Sequence, residues 1–221
     1  MTSSETIYYP VYLNISGKNC IVVGGGQVAL RKVTGLLECG GKVAVISPEL
    51  CSELDELAVK KEIRSVLREF RAGDLKGSFV VIAATDDRKI NRQVAAEARE
   101  KGILINTVDD TDYCDFIAPS IIRRGEITIA ISTSGQSPAL ARKLRARLEK
   151  EFGEEYAQLG RLIGEVRTEA RKQKIEVDGE GWQAALDLDR LLDLLNKGEA
   201  EKAKAALFKN LKTRQRKSES K

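Results

Sequence analysis

The stretch IVVGGGQVALRK, Ile21 to Lys32, sets a short apolar run, three glycines and the start of a helical pattern in immediate succession. Gly24, Gly26 and Ala29 fill the G-x-G-x-x-G/A spacing, which combines a tight backbone turn, close approach to a pyrophosphate and close helix-strand packing. The chemistry rests on amides. The first N–H groups of a helix lack intrahelical acceptors, and the aligned peptide dipoles add partial positive charge, so an open helix start takes an anion. Gly24, Gly25, Gly26, Gln27, Val28 and Ala29 are therefore the expected phosphate-binding set for a dinucleotide.

Outward from this loop, Asn19 to Val23 reads as a buried strand, and Gln27 to Cys39 carries helical spacing through Val28, Val33, Leu36 and Leu37. Further strands are expected at Lys42–Ile46, Ile63–Leu67, Phe79–Ala83 and Leu104–Asn106, with helices at about Glu53–Lys60 and Asn91–Lys101. Strands alternating with helices predict an α/β, Rossmann-type parallel sheet covered on both faces. An acid is expected about 20 residues past the glycine loop to hold the ribose hydroxyls. The second strand instead ends in Ser47-Pro48-Glu49, so Ser47 is assigned a hydrogen bond to the ribose and Glu49 the charge. With no Arg close behind the strand, NAD is expected over NADP.

The pattern changes after Asp112. Phe116–Ile122 and Glu126–Thr133 flank Arg123-Arg124-Gly125 as a small β-hairpin, whose edge could pair with a second subunit. A helix follows, with Ser137 as N-cap, Pro138 in its first turn and an apolar stripe of Leu140, Leu144 and Leu148. Beyond Phe152 only helices are expected, the last starting near Glu199. The organisation is thus an NAD-binding Rossmann domain over 1–113, a β-hairpin/helix dimerisation module over 114–150, an α-helical C-terminal domain over 151–211 and a basic, disordered tail over 212–221.

A hydrophobic content of 42% with 32% charged residues describes a soluble globular chain. No apolar stretch approaches the roughly 20 residues of a membrane span, and the polar N-terminus lacks a signal-peptide core, so no membrane and a cytoplasmic location are expected. Cys20, Cys39, Cys51 and Cys114 form no C-x-x-C pair and there is no histidine, which argues against a bound metal. Without histidine, proton transfer falls to carboxylates, Lys, Tyr, Cys or water. The basic run at the C-terminus carries no interleaved aromatics, so nucleic acid is not an expected partner.

Three further segments narrow the reading: Ala83-Ala84-Thr85-Asp86-Asp87 followed by Asn91; Asn106-Thr107-Val108-Asp109-Asp110 followed by CDFIAP from Cys114; and IAISTSGQSPALAR from Ile129 to Arg142. With GGGQVALRK they resemble, in order and spacing from about Tyr9 to Glu149, the siroheme-synthase N-terminal family. These are precorrin-2 dehydrogenases, some of which are also sirohydrochlorin ferrochelatases. The resemblance implies hydride transfer from precorrin-2, a tetrapyrrole polycarboxylate, to NAD, in a homodimer; no methyltransferase segment follows, as in the standalone form. The family's essential aspartate, in its N-x-V-D motif, falls on Asp109, which would remove or relay a proton.

By position, Thr85 and Asp86 would line the nicotinamide side, and Asn106 would orient Asp109 or the cofactor. Ser134, Gly135 and Ser137, with Arg142 a turn beyond, could receive a substrate carboxylate, or could simply cap a helix. Thr133 matches a phosphorylated serine of a fused relative. Three alternatives stay open: a bifunctional enzyme that also inserts Fe²⁺, a chelatase without dehydrogenase activity, and a non-catalytic nucleotide-sensing module.

Overall fold

The structure, a computed structural model, describes residues 7–108 and 110–218. Strands β1 (Asn19–Val23), β2 (Lys42–Ile46), β3 (Arg64–Val66), β4 (Val80–Ala83) and β5 (Leu104–Thr107) form one parallel sheet in the order β3-β2-β1-β4-β5. Val23 pairs with Ile46 on one side and Ala83 on the other, so three strands end level and their following loops open along one edge. The chain leaves β1 toward β2 and β3, then returns to β4 on the opposite side. That reversal is the topological switch point at which α/β sheets bind ligands.

The continuous apolar runs follow from burial of both sheet faces. Cys20 and Val22 pack with Ala29, Val33 and Leu36 of helix α1 (Gln27–Glu38) and Leu54 of α2 (Ser52–Val59). Ile21 and Val23 point the other way, into Val94, Ala95 and Ala98 of α3 (Arg88–Glu100). Helix α3 starts three residues earlier than expected because Asp87 is its N-cap, accepting from the amides of Lys89 at 2.7 Å and Ile90 at 3.4 Å. Asn91 therefore lies one turn inside the helix, only 6% exposed.

The first compact unit closes at Ala118, not at 113. Asp115 explains the shift: its amide donates to Ile105 O at 2.8 Å and its carboxylate accepts from Ile105 N at 3.1 Å. Phe116 packs against the same core. Residues 114–116 thus belong to the outer edge of β5.

The second unit joins the hairpin and all the later helices. Strands β6 (Ser120–Arg124) and β7 (Ile127–Ile131) pair antiparallel about the two-residue turn Gly125-Glu126. Arg123 and Arg124, expected in the turn, belong to β6, because Gly125 at φ +58° supplies the left-handed residue a tight hairpin needs. Helix α4 (Pro138–Glu151) faces inward through Ala141, whereas Leu140 and Leu144 of the expected stripe are 49% and 39% exposed. Helices α5 (Glu155–Lys172), α6 (Gly179–Ala185), α7 (Leu188–Asn196) and α8 (Ala200–Ser218) share a core that includes Leu162, Val166, Leu191, Leu195, Leu207 and Leu211.

The stretch from 212, expected as a disordered tail, continues α8 as far as Ser218. No Gly or Pro interrupts residues 200–218, so the helix propagates past the fully buried Leu211. Residues 219–221 of that expectation lie outside the described residues.

Candidate functional site

The level strand ends of the first unit frame a cleft of about 390 Å³, within the range of small-molecule sites. Gly24 turns the chain out of β1 at φ +126°, its amide bonded to Ile46 O at 2.9 Å. A Cβ there would collide with the carbonyl of Ala84, and a Cβ on Gly25 would collide with the carbonyl of Glu49 and lie 2.7 Å from Ser47 Oγ. Gly26 differs: a Cβ would meet no protein atom within 4 Å. The first two glycines are demanded by neighbouring backbone, while the third leaves free space at the helix start.

Gly26 is the N-cap of α1, and no side chain caps that end or places an acid in its first turn. Asp87, Ser137, Asp178 and Asp187 cap α3, α4, α6 and α7, while α2 and α5, which also lack a side-chain cap, carry Glu53 and Asp55 or Glu155 in their first turns. The Gln27 side chain turns away to Glu53, 3.2 and 3.3 Å from its two carboxylate oxygens, so Gln27 offers the cleft its amide. Gln27 and Val28 both line the cleft, whereas Ala29 is fully buried beneath the loop, where its small side chain lets α1 approach β1. The glycine loop therefore fits a pyrophosphate.

Ser47, 8% exposed, lines the cleft at the end of β2. Glu49 does not; its contribution is the carbonyl packed against Gly25. The acid on this side is Glu69, from the loop after β3. Counting along the chain from the glycines missed it, because β3 reaches the cleft through its pairing with β2. The signal was the strand order itself: Ser47 N donates to Val66 O at 3.2 Å, bringing the two strand exits together.

Thr85 and Asp86 line the opposite side, after β4. Asn91 holds Thr85 in place, its Oδ1 accepting from the hydroxyl at 2.9 Å and its Nδ2 donating to the carbonyl at 2.9 Å. Asn106, 7% exposed, is not in the cleft lining; its Nδ2 donates to Phe116 O at 3.0 Å. Asp109 lies outside the described residues. On either side of it, Val108 N donates to Ala83 O at 2.9 Å, and Asp110 O lies 3.3 Å from the Cys114 thiol. That thiol also accepts from Thr107 N at 3.1 Å, and burial raises its pKa.

In the second unit, Ser134 and Gly135 are successive left-handed residues at φ +51° and +84°. The Ser137 hydroxyl caps α4, accepting from Leu140 N at 3.2 Å, and Thr133 Oγ1 accepts from Ser137 N at 3.1 Å. Arg142 is exposed on the same helix. Among the described residues, no group of three or more Cys, Asp or Glu side chains is placed to hold a metal ion, and no helix is long and apolar enough to cross a membrane.

A family model described as putative NAD(P)-binding matches residues 11–120, and one described as sirohaem biosynthesis protein central matches residues 124–151. The chain is 39% identical over 202 residues to the siroheme synthase of Nitrosococcus oceani, covering 90% of this chain and 43% of that protein. It is 41% identical over 169 residues to the siroheme synthase of Neisseria meningitidis serogroup C, covering 76% of this chain and 35% of that protein. The chain thus spans less than half the length of these relatives. Among solved structures it shares the fold of SirC, precorrin-2 dehydrogenase, with a TM-score of 0.69 at 24% identity, over 93% of this chain and 100% of that one.

Proposed function

We propose that this chain, which belongs to the siroheme-synthase N-terminal family, oxidises precorrin-2 to sirohydrochlorin with NAD as acceptor. The observation that carries the cofactor reading is the uncapped start of α1, where Gly26 leaves open space above unobstructed amides. The Gly26, Gln27 and Val28 backbone would receive the pyrophosphate, Ser47 the adenosine ribose, and Thr85 and Asp86 the nicotinamide side. Bound NAD supplies a two-electron acceptor for the hydride that leaves a substrate C–H bond. Asp109 accepts the accompanying proton and passes it to solvent, since no histidine is present for that role.

Ser134, Gly135, Ser137 and Arg142 are the proposed substrate-carboxylate contacts, Arg being the side chain best suited to hold a carboxylate through two parallel bonds. Among the described residues neither β6 nor β7 pairs with a further strand, and Ile121 of β6 and Leu140 and Leu144 of α4 are exposed. Together these features support a homodimer formed through this module.

The test is NADH formation when the purified chain meets precorrin-2 and NAD, with sirohydrochlorin identified by its absorption spectrum. Asp109→Ala should retain NAD binding and lose turnover. NAD binding without any precorrin-2 oxidation would instead support a nucleotide sensor, and iron insertion above the spontaneous rate without oxidation would support a chelatase.

A further inference from the structure

We infer that Glu69 is the residue that selects NAD over NADP, and that the loop carrying it is built to hold it at the cleft. The inference rests on the nucleotide reading of the glycine loop and names the specificity element of that same site. On the β2/β3 side the cleft is bounded by Ser47, Pro48, Glu69 and Phe70, and no Lys or Arg is among the lining residues. An adenosine ribose bound with its pyrophosphate at Gly26 lies on this side of the switch point. A 2′-phosphate there would meet a carboxylate and no cation, whereas the two free hydroxyls of NAD could donate to it.

The basic residue nearest in sequence cannot rescue the phosphate. Arg68 is bound bidentately to Asp74, Nη1 to Oδ2 and Nη2 to Oδ1, both at 2.7 Å, and its Nη1 also donates to Glu69 O at 2.8 Å. Its guanidinium is thereby committed to folding the loop, and the charge-assisted pair is of the strong kind. Phe70, 7% exposed, anchors the next residue in the core. Farther along, the buried Glu97 carboxylate accepts from Gly73 N at 3.0 Å and Leu75 N at 3.2 Å. Glu69 itself is exposed, on a segment tied down immediately before and after it.

The test is calorimetric titration of the full chain with NAD and with NADP, without substrate, for the wild type, Glu69→Gln and Glu69→Arg. The wild type should prefer NAD, Glu69→Gln should reduce that preference about tenfold by removing a like charge, and Glu69→Arg should reduce it further. An unchanged affinity ratio in Glu69→Gln, an equal loss for both nucleotides, or a wild type without preference would overturn the assignment. Because no substrate is used, failure of precorrin-2 oxidation leaves this result standing, and an unchanged ratio leaves the dehydrogenase reading untouched.

Discussion

Asn91 grips Thr85 at three atoms: its Oδ1 accepts from the Thr85 hydroxyl and amide, at 2.9 and 3.3 Å, and its Nδ2 donates to the Thr85 carbonyl at 2.9 Å. Ala84, whose carbonyl occupies the space a Gly24 side chain would need, directly precedes Thr85. One buried amide on α3 thus sets the wall facing the glycine loop. Asn91→Leu, which leaves those Thr85 groups without their partner, should cost about 1–3 kcal/mol in urea unfolding. It should also weaken NAD binding measured by titration.

Gly25 and Gly26 should separate stability from binding. Gly25→Ala forces a methyl into the Glu49 carbonyl and should destabilise by about 1–3 kcal/mol, as overpacking does. The Gly26→Ala methyl meets no protein atom, so the chain should be destabilised only by the roughly 1 kcal/mol that separates Gly from Ala at an N-cap, read as a small fall in melting temperature. Its NAD affinity should nevertheless drop about tenfold or more, since the added methyl takes space meant for phosphate. Equal NAD affinity in Gly26→Ala and wild type would remove the phosphate from this position.

Hydrogen bonding from Arg68 holds the Asp74 carboxyl below its ordinary range, with partial burial opposing the shift. A depressed folded-state pKa means the unfolded chain binds protons more readily, so this contribution is present above the unfolded value and lost as pH falls toward the folded one. The stability gap between wild type and Asp74→Asn should therefore be constant near neutrality and shrink below about pH 4, the unperturbed Asp value. Urea midpoints across that range measure it. A gap that widens with acid would contradict the Arg68–Asp74 pairing.

The four thiols should differ in reactivity. Cys39 is exposed, whereas Cys20 is buried and Cys114 half-buried, and burial raises the pKa of both, depleting the reactive thiolate. Iodoacetamide followed by peptide mass mapping should label Cys39 first and Cys114 and Cys20 last. Rapid labelling of Cys114 would show that the 107–114 loop opens readily.

The nucleotide loop was legible because its determinants are local: the glycine spacing, the preceding apolar strand and the amphipathic helix all fall within twenty residues of chain. The acid lining the cleft on the β2/β3 side was not. Glu49 satisfies a count along the sequence, but Glu69 reaches the cleft because β3 pairs with β2, a relationship between strands that no local pattern records. The sequence pattern starts α3 at Asn91, because Asp87 carries no local sign that it is the N-cap. Its capping bonds instead draw the helix start back and turn Asn91 inward. Asn106 was assigned to the cofactor or Asp109 from its place at the strand end, yet its amide is taken by the Phe116 carbonyl, ten residues onward. The Asp87 and Asn106 differences arise where a polar side chain has two possible partners and tertiary packing chooses between them, and the Glu69 difference arises from strand pairing.

The central position of β1 has a consequence for biosynthesis of the chain. The strand preceding the glycines is the first to be made, yet it pairs on one side with β2 and on the other with β4, which lies nearly sixty residues later. A nascent chain that ends before Val80 carries the entire glycine motif but lacks Ala84, Thr85 and Asn91, which complete the opposite wall. A nucleotide bound between the two walls would therefore require the second half of the sheet to have docked, and would draw the equilibrium toward that docked state by mass action. The dinucleotide would serve as a late folding ligand as well as the proposed hydride acceptor.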